Sequence, residues 1–207
     1  VALCLGAGWP NILNIKNNFV KGVRLASDFL MALQLTGAMR QDLVTNLQVR
    51  LPILVVGGGL TAIDTACEAL NYYKVQVQKF FNQYQDLSKK IGRKKIEEIL
   101  NEDEKLIARE FIEHAQKIAE IEKNNGSVIK LLQDLGGSTL IYRQNITNSP
   151  SYKINHLEIN KALEEGLKII DNATPLEIIK DDFNHIESLK IEIKQENKVK
   201  IKKITAR

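Results

Sequence analysis

With 207 residues, 44% hydrophobic and 26% charged, the chain suits one large globular domain, or one domain with a piece of another. A net charge of +4 with dispersed basic residues excludes a nucleic-acid stripe, and two distant cysteines, Cys4 and Cys67, exclude a disulfide scaffold. No apolar run reaches membrane-spanning length and the opening "VALCLGAGWP" lacks a basic signal-peptide start, so a cytoplasmic setting without membrane partners is expected.

"VALCLGAG" reads as a buried strand ending on Gly6 and Gly8, with Pro10 closing the turn. It carries no initiator methionine, so the expectation is a start inside a longer parent. Gly22–Gly37 reads as a helix capped by Ser27 and ended by Gly37. Residues 38–50 read as loop or irregular helix. Ile53–Val56 is an unbroken β-branched and aliphatic run, as expected of a strand buried on both faces. A helix from Thr61 to about Tyr73 follows it. Residues 74–134, rich in Lys, Glu, Gln and Asn with helical spacing, read as an inserted helical pair, solvated and without chemistry of its own. His114 within it is expected to face solvent.

"STLIYR" (Ser138–Arg143) restores a strand, "NITNSPS" is a loop, and "HLEINKALEEG" is a helix ending at Gly166. "LKIID" is a third strand. "ATPLEIIKDD", "HIESLKIEIK" and "KVKIKKI" complete the chain, the last two joined by a turn at "QEN". In those two, Leu189, Ile191 and Ile193, then Val199 and Ile201, alternate with charges, which predicts an antiparallel hairpin with one wet face. The predicted class is α/β: a Rossmann-like parallel sheet with helices, a β-meander and a helical insertion.

Gly57-Gly58-Gly59-x-x-Ala62 matches the dinucleotide fingerprint in its required context, a strand before and a helix after. Gly57 permits a tight exit from the strand, Gly59 lets a diphosphate approach the backbone, and small Ala62 lets helix and strand pack closely. The free N–H groups at the helix start hold the anion, and Thr61 can add a hydroxyl. Asp64 reads as a carboxylate in the first turn, complementing the helix dipole, or as part of the site. At the end of the next strand stands Arg143 with no acid beside it. That favours the 2′-phosphate of NADPH, with NADH as the alternative. No catalytic side-chain set is visible, and His114, His156 and His185 share no metal-ligand spacing. Hydride chemistry would belong to the cofactors.

These stretches together resemble the pyridine-nucleotide domain of the glutamate synthase small-subunit group, FAD-dependent flavoproteins that oxidise NAD(P)H. The resemblance runs through Gly57–Gly59, Thr61, Ala62 and Asp64; Tyr142 and Arg143; Glu164, Glu165 and Gly166; and Pro175, Glu177 and Ile178. It covers nearly all of the chain except residues 74–134. Leu60, Gln144 and Leu5 depart from the family pattern at an Asn, an Arg and a Thr. The resemblance implies nicotinamide binding here and FAD in the complete parent, whose flavin fingerprint, cluster-ligating cysteines and closing segment this chain lacks. On that reading residues 1–50 continue from an FAD domain, 51–73 and 135–207 form the NAD(P)H-binding domain, and 74–134 are the insertion. The partner is the remainder of the parent flavoprotein or an electron-accepting subunit. The alternative is a non-catalytic Rossmann module that binds a partner through its helical insertion.

Overall fold

The computed structural model describes residues 11–195 and 198–207. The strand and turn expected over "VALCLGAGWP" lie outside the described residues, as does most of the "QEN" turn. Among the described residues six α-helices and six strands follow in the order α1 (Ala26–Leu35), β1 (Ile53–Val56), α2 (Leu60–Ile91), α3 (Arg93–Ile99), α4 (Glu102–Lys123), α5 (Val128–Asp134), β2 (Ser138–Ile141), α6 (Pro150–Glu164), β3 (Lys168–Ile170), β4 (Ala173–Lys180), β5 (Ile186–Gln195) and β6 (Lys198–Thr205), with a short 3-10 turn at Ile146–Asn148 before α6.

The fold has three layers. β1, β2 and β3 form a parallel sheet in that order, with Val56 beside Ile141 and Ile141 beside Ile170. Val55 and Leu140 point to one face, into a core made with Ala62, Ile63 and Ala66 of α2 and Ile159 and Ala162 of α6. Leu54, Val56 and Ile141 point to the other, against Ile178, Leu189 and Ile191 of the antiparallel sheet β4-β5-β6. Both faces of β1 and β2 are covered, which is why Ile53–Val56 is apolar without alternation and why even Ser138 and Thr139 of β2 are buried. The mixed α/β class and the meander are as the sequence predicts.

Several elements differ from expectation, each for a physical reason. The N-cap of α1 is Leu25, and Ser27 lies inside the first turn without capping it. The helix expected to close near Tyr73 runs on to Ile91, through the expected start of the insertion. Its outer half has its own core, in which Tyr73 and Val77 meet Ile107, Phe111, Ala115 and Ile118 of α4. The polar residues that make this stretch look solvated are partly buried. Gln76 is fully buried, accepting from the Val49 N–H and donating to its carbonyl, each at 2.8 Å. Lys79 is buried too, and its Nζ donates to the Ala38 carbonyl at 2.8 Å. Together with Tyr72, whose hydroxyl accepts from the Leu47 N–H, they lie along one face of α2 and fasten the irregular segment before β1.

The start of α6 was expected at His156; it is Pro150, a residue suited to the first helical position, after a Ser149 cap. A kink at Asn155 interrupts it. β6 departs most. Ile201 pairs with Glu192 and Val199 with Lys194, so both share the outer face and are 62% and 61% exposed. The lysines between them are exposed too, so β6 is wet on both faces and the expected burial of Val199 and Ile201 does not occur.

Candidate functional site: the glycine turn

β1, β2 and β3 run in register, so their carboxyl ends leave the sheet side by side. The Gly57 N–H donates to the Ile141 carbonyl at 3.0 Å, extending the ladder by one residue. A Cβ on Gly57 would lie 3.0 Å from the Ala62 Cβ, so the close helix–strand approach expected of this pair is present. A Cβ on Gly58 would fall 2.2 Å from the Tyr142 ring, which packs over that residue. Gly59 is different. It is the N-cap of α2 with φ −91° and ψ 169°, a conformation open to any residue, and an added Cβ would meet nothing within 4 Å.

At the helix start the Ala62 and Ile63 N–H groups turn back to the Gly59 carbonyl, at 3.0 and 3.4 Å. The N–H groups of Leu60 and Thr61 come before any helical acceptor. Thr61 is exposed on the same turn. Backbone donors, a positive dipole end and an open glycine therefore converge, which is the arrangement that accepts a phosphate.

Tyr142 and Arg143 lie just beyond β2, which closes at Ile141, two residues before the predicted end. Arg143 is exposed at the same edge of the sheet as the glycine turn. The loop after it is ordered by polar side chains. Asp171 Oδ2, just past β3, accepts from the Ile146 N–H at 3.1 Å, and the Asn145 side chain accepts from the Thr147 N–H at 3.0 Å. The loop ends at Ser149 and Ser151, both fully buried. Ser151 donates twice to the Gly58 carbonyl, from its N–H at 3.1 Å and its Oγ at 3.0 Å. Spacing alone marks neither serine, because Ser151's partner lies 93 residues away and Ser149 acts through Ser151. Two cues were present: Ser-Pro marks a helix start, and a helix after the second strand begins at the same sheet edge as the first.

Asp64 lies in the second turn of α2, and no acid occupies the first, so the first-turn reading is corrected. Burial first, then neighbouring Glu158, raises its pKa. Cys67 is half-buried, and burial followed by Glu165 pushes its thiol up to about 11, so it stays protonated and inert at neutral pH. His114 does not face solvent freely. It is half-buried and hydrogen-bonded to the Tyr73 hydroxyl. His185 is buried, with Nε2 2.8 Å from Asp103 Oδ2, while His156 is exposed on α6. Among the described residues no group of three or more His, Cys, Asp or Glu could hold a metal ion, and no helix is long and apolar enough to cross a membrane.

The opposite end of the parallel sheet is built from paired charges. Arg50 and Glu110, 12% and 11% exposed, pair at 2.6 Å, and Arg207 reaches the same carboxylate at 2.8 Å. Asp103 holds Lys21 at 3.3 Å as well as His185. A cleft of about 1030 Å³ lies between α4 and the β4–β5 hairpin, lined by Asp103, Arg109, Glu110, Asp182, Phe183 and Lys203 among others.

No family model matches the chain. It is similar to an uncharacterized protein, RP006, of Rickettsia prowazekii (strain Madrid E), with 46% identity over 193 residues, 93% of this chain. The chain spans about a quarter, 26%, of that relative's length. Among solved structures it aligns with thioredoxin reductase of T. acidophilum over 96% of this chain and 39% of that one, at 12% identity and a TM-score of 0.44.

Proposed function

We propose that this chain is the NADPH-binding part of a flavin-dependent oxidoreductase resembling the glutamate synthase small-subunit group. Gly59 carries the reading. The fold makes no demand for glycine there: its φ is negative and a Cβ would touch nothing. A glycine that neither backbone nor packing requires is explained by something that approaches the turn from outside. A diphosphate fits, held by the N–H groups of Gly59, Leu60 and Thr61 and by the helix dipole. Arg143 would take the 2′-phosphate through its forked donors, and NADH is the weaker-binding alternative. When bound, the nicotinamide supplies a hydride, and FAD in the remainder of the parent would accept it. The residues of this chain bind and orient; none is assigned a proton-transfer role.

Titration calorimetry of the chain with NADPH should show one site. Gly59→Val should abolish it without lowering Tm by more than a few degrees. Full affinity in the variant, or no affinity in the parent sequence, would sink the assignment. The same preparation should lack flavin absorbance and should not oxidise NADPH with artificial acceptors.

A further inference from the structure

We propose that Ser151, braced by Ser149, is a positioning residue that sets the Gly58–Gly59 peptide for diphosphate binding. The proposal rests on the nucleotide reading of the glycine turn and deepens it.

The hydrogen-bond chain has only one direction. The Gly58 carbonyl can only accept, so Ser151 Oγ, at 3.0 Å, donates to it. Ser151's single hydroxyl hydrogen is then in use. At the 3.0 Å contact between the two hydroxyls, Ser149 must therefore be the donor. Ser149 Oγ in turn accepts from the Tyr152 N–H at 3.1 Å. The run goes from the first turn of α6 through two fully buried hydroxyls to the carbonyl of the turn. Each hydroxyl in it both donates and accepts, and bonds in such a chain polarise one another. The Ser151 N–H adds a second donor to the same carbonyl at 3.1 Å.

In a trans peptide the carbonyl and the following N–H point to opposite sides. Drawing the Gly58 carbonyl toward α6 therefore turns the Gly59 N–H away from α6. The Tyr142 ring packed over Gly58 opposes rotation of the same peptide. Glycine alone would leave this peptide free to flip, since it resists no backbone rotation sterically. The serines supply the constraint that the glycines lack. They convert a permissive turn into one whose amide is already aimed before a ligand arrives.

The test compares Ser151→Ala with the unaltered chain, using NADPH and ADP as probes. ADP carries the diphosphate without nicotinamide. Ser151→Ala keeps the N–H bond and loses the hydroxyl bond, so both affinities should fall by the same factor, about fivefold. The Gly59 amide resonance of the ligand-free chain should shift, and Ser151→Thr, which returns the hydroxyl, should restore affinity. A lower Tm with unchanged affinity for both probes would make the contact merely structural and overturn the proposal. Loss of NADPH binding with ADP binding unchanged would overturn it as well, because the effect would not lie at the diphosphate. Absence of binding by the unaltered chain would fail the nucleotide reading itself, an outcome distinct from the other two.

Discussion

The two ends of the parallel sheet are made of different material. At the carboxyl end, backbone does the work: three glycines, two helix starts and N–H groups left without helical acceptors. At the other end, side-chain charges answer each other, Glu110 with Arg50 and Arg207, Asp103 with His185 and Lys21. A structural junction uses up its polar groups internally. The proposed binding edge keeps some of them free and holds the Gly58–Gly59 peptide through Ser151. The difference separates the candidate site from the cleft of about 1030 Å³ between α4 and the meander.

The comparison breaks most readily at the charged end. Glu110→Ala would leave Arg50 nearly buried beside no carboxylate, and should cost about 3 kcal/mol of stability by denaturant unfolding. NADPH affinity should not change. A loss of affinity would mean that the two ends are not separable. Next come the neighbouring glycines. Gly58→Ala drives a methyl into the Tyr142 ring and should cost about 1–3 kcal/mol. Gly59→Ala should cost less than about 1 kcal/mol as a cap change, yet weaken NADPH binding at least tenfold. Equal stability losses at the two positions would contradict the open space found at Gly59. Arg143→Ala, at an exposed position, should leave Tm unchanged and weaken NADPH about tenfold with little effect on NADH. Equal losses for both cofactors would remove Arg143 from the 2′-phosphate.

The smallest effect is a pH slope. Burial outweighs the attraction of Glu110 and holds the His114 imidazole below its ordinary value. The folded chain thus prefers the neutral ring. Above about pH 6.5 the ring is neutral in both states and adds no pH dependence. Below that, the unfolded chain takes up a proton first, and stability falls with pH until the folded ring titrates too. His114→Gln should flatten this part of the stability profile, measured by urea unfolding from pH 7.5 downward. An unchanged slope would locate the titration elsewhere.

The parts legible in sequence are those where local pattern and tertiary role agree. Ile53–Val56, the glycine turn and the strand–helix–strand that follows each carry their own signal, and the sheet orders them as that signal implies. Illegible were the places where a polar residue is buried by a long-range backbone partner. Gln76 and Lys79 look like solvent-facing residues of an insertion, but they bond both backbone groups of Val49 and the carbonyls of Ala38 and Arg40. That contact is why α2 does not stop at Tyr73. Val199 and Ile201 mislead in the opposite sense, since period-two spacing fixes which residues share a face but not whether anything covers that face. At the candidate site the glycines and Arg143 could be named from spacing, whereas Ser149 and Ser151 could not, because only the folded chain brings them to Gly58.

Gly58 and Gly59, adjacent in the chain, are subject to different selection. The architecture itself protects the first: any side chain there collides with an aromatic ring, whatever the protein does. Only a helix-cap preference, with no packing or backbone demand, favours the second. In a lineage that stopped using the turn, Gly59 would drift to other residues at the small cost of a helix cap while Gly58 stayed fixed. On the proposed nucleotide reading, the identity of that one residue in related chains would mark retained binding, readable without any assay.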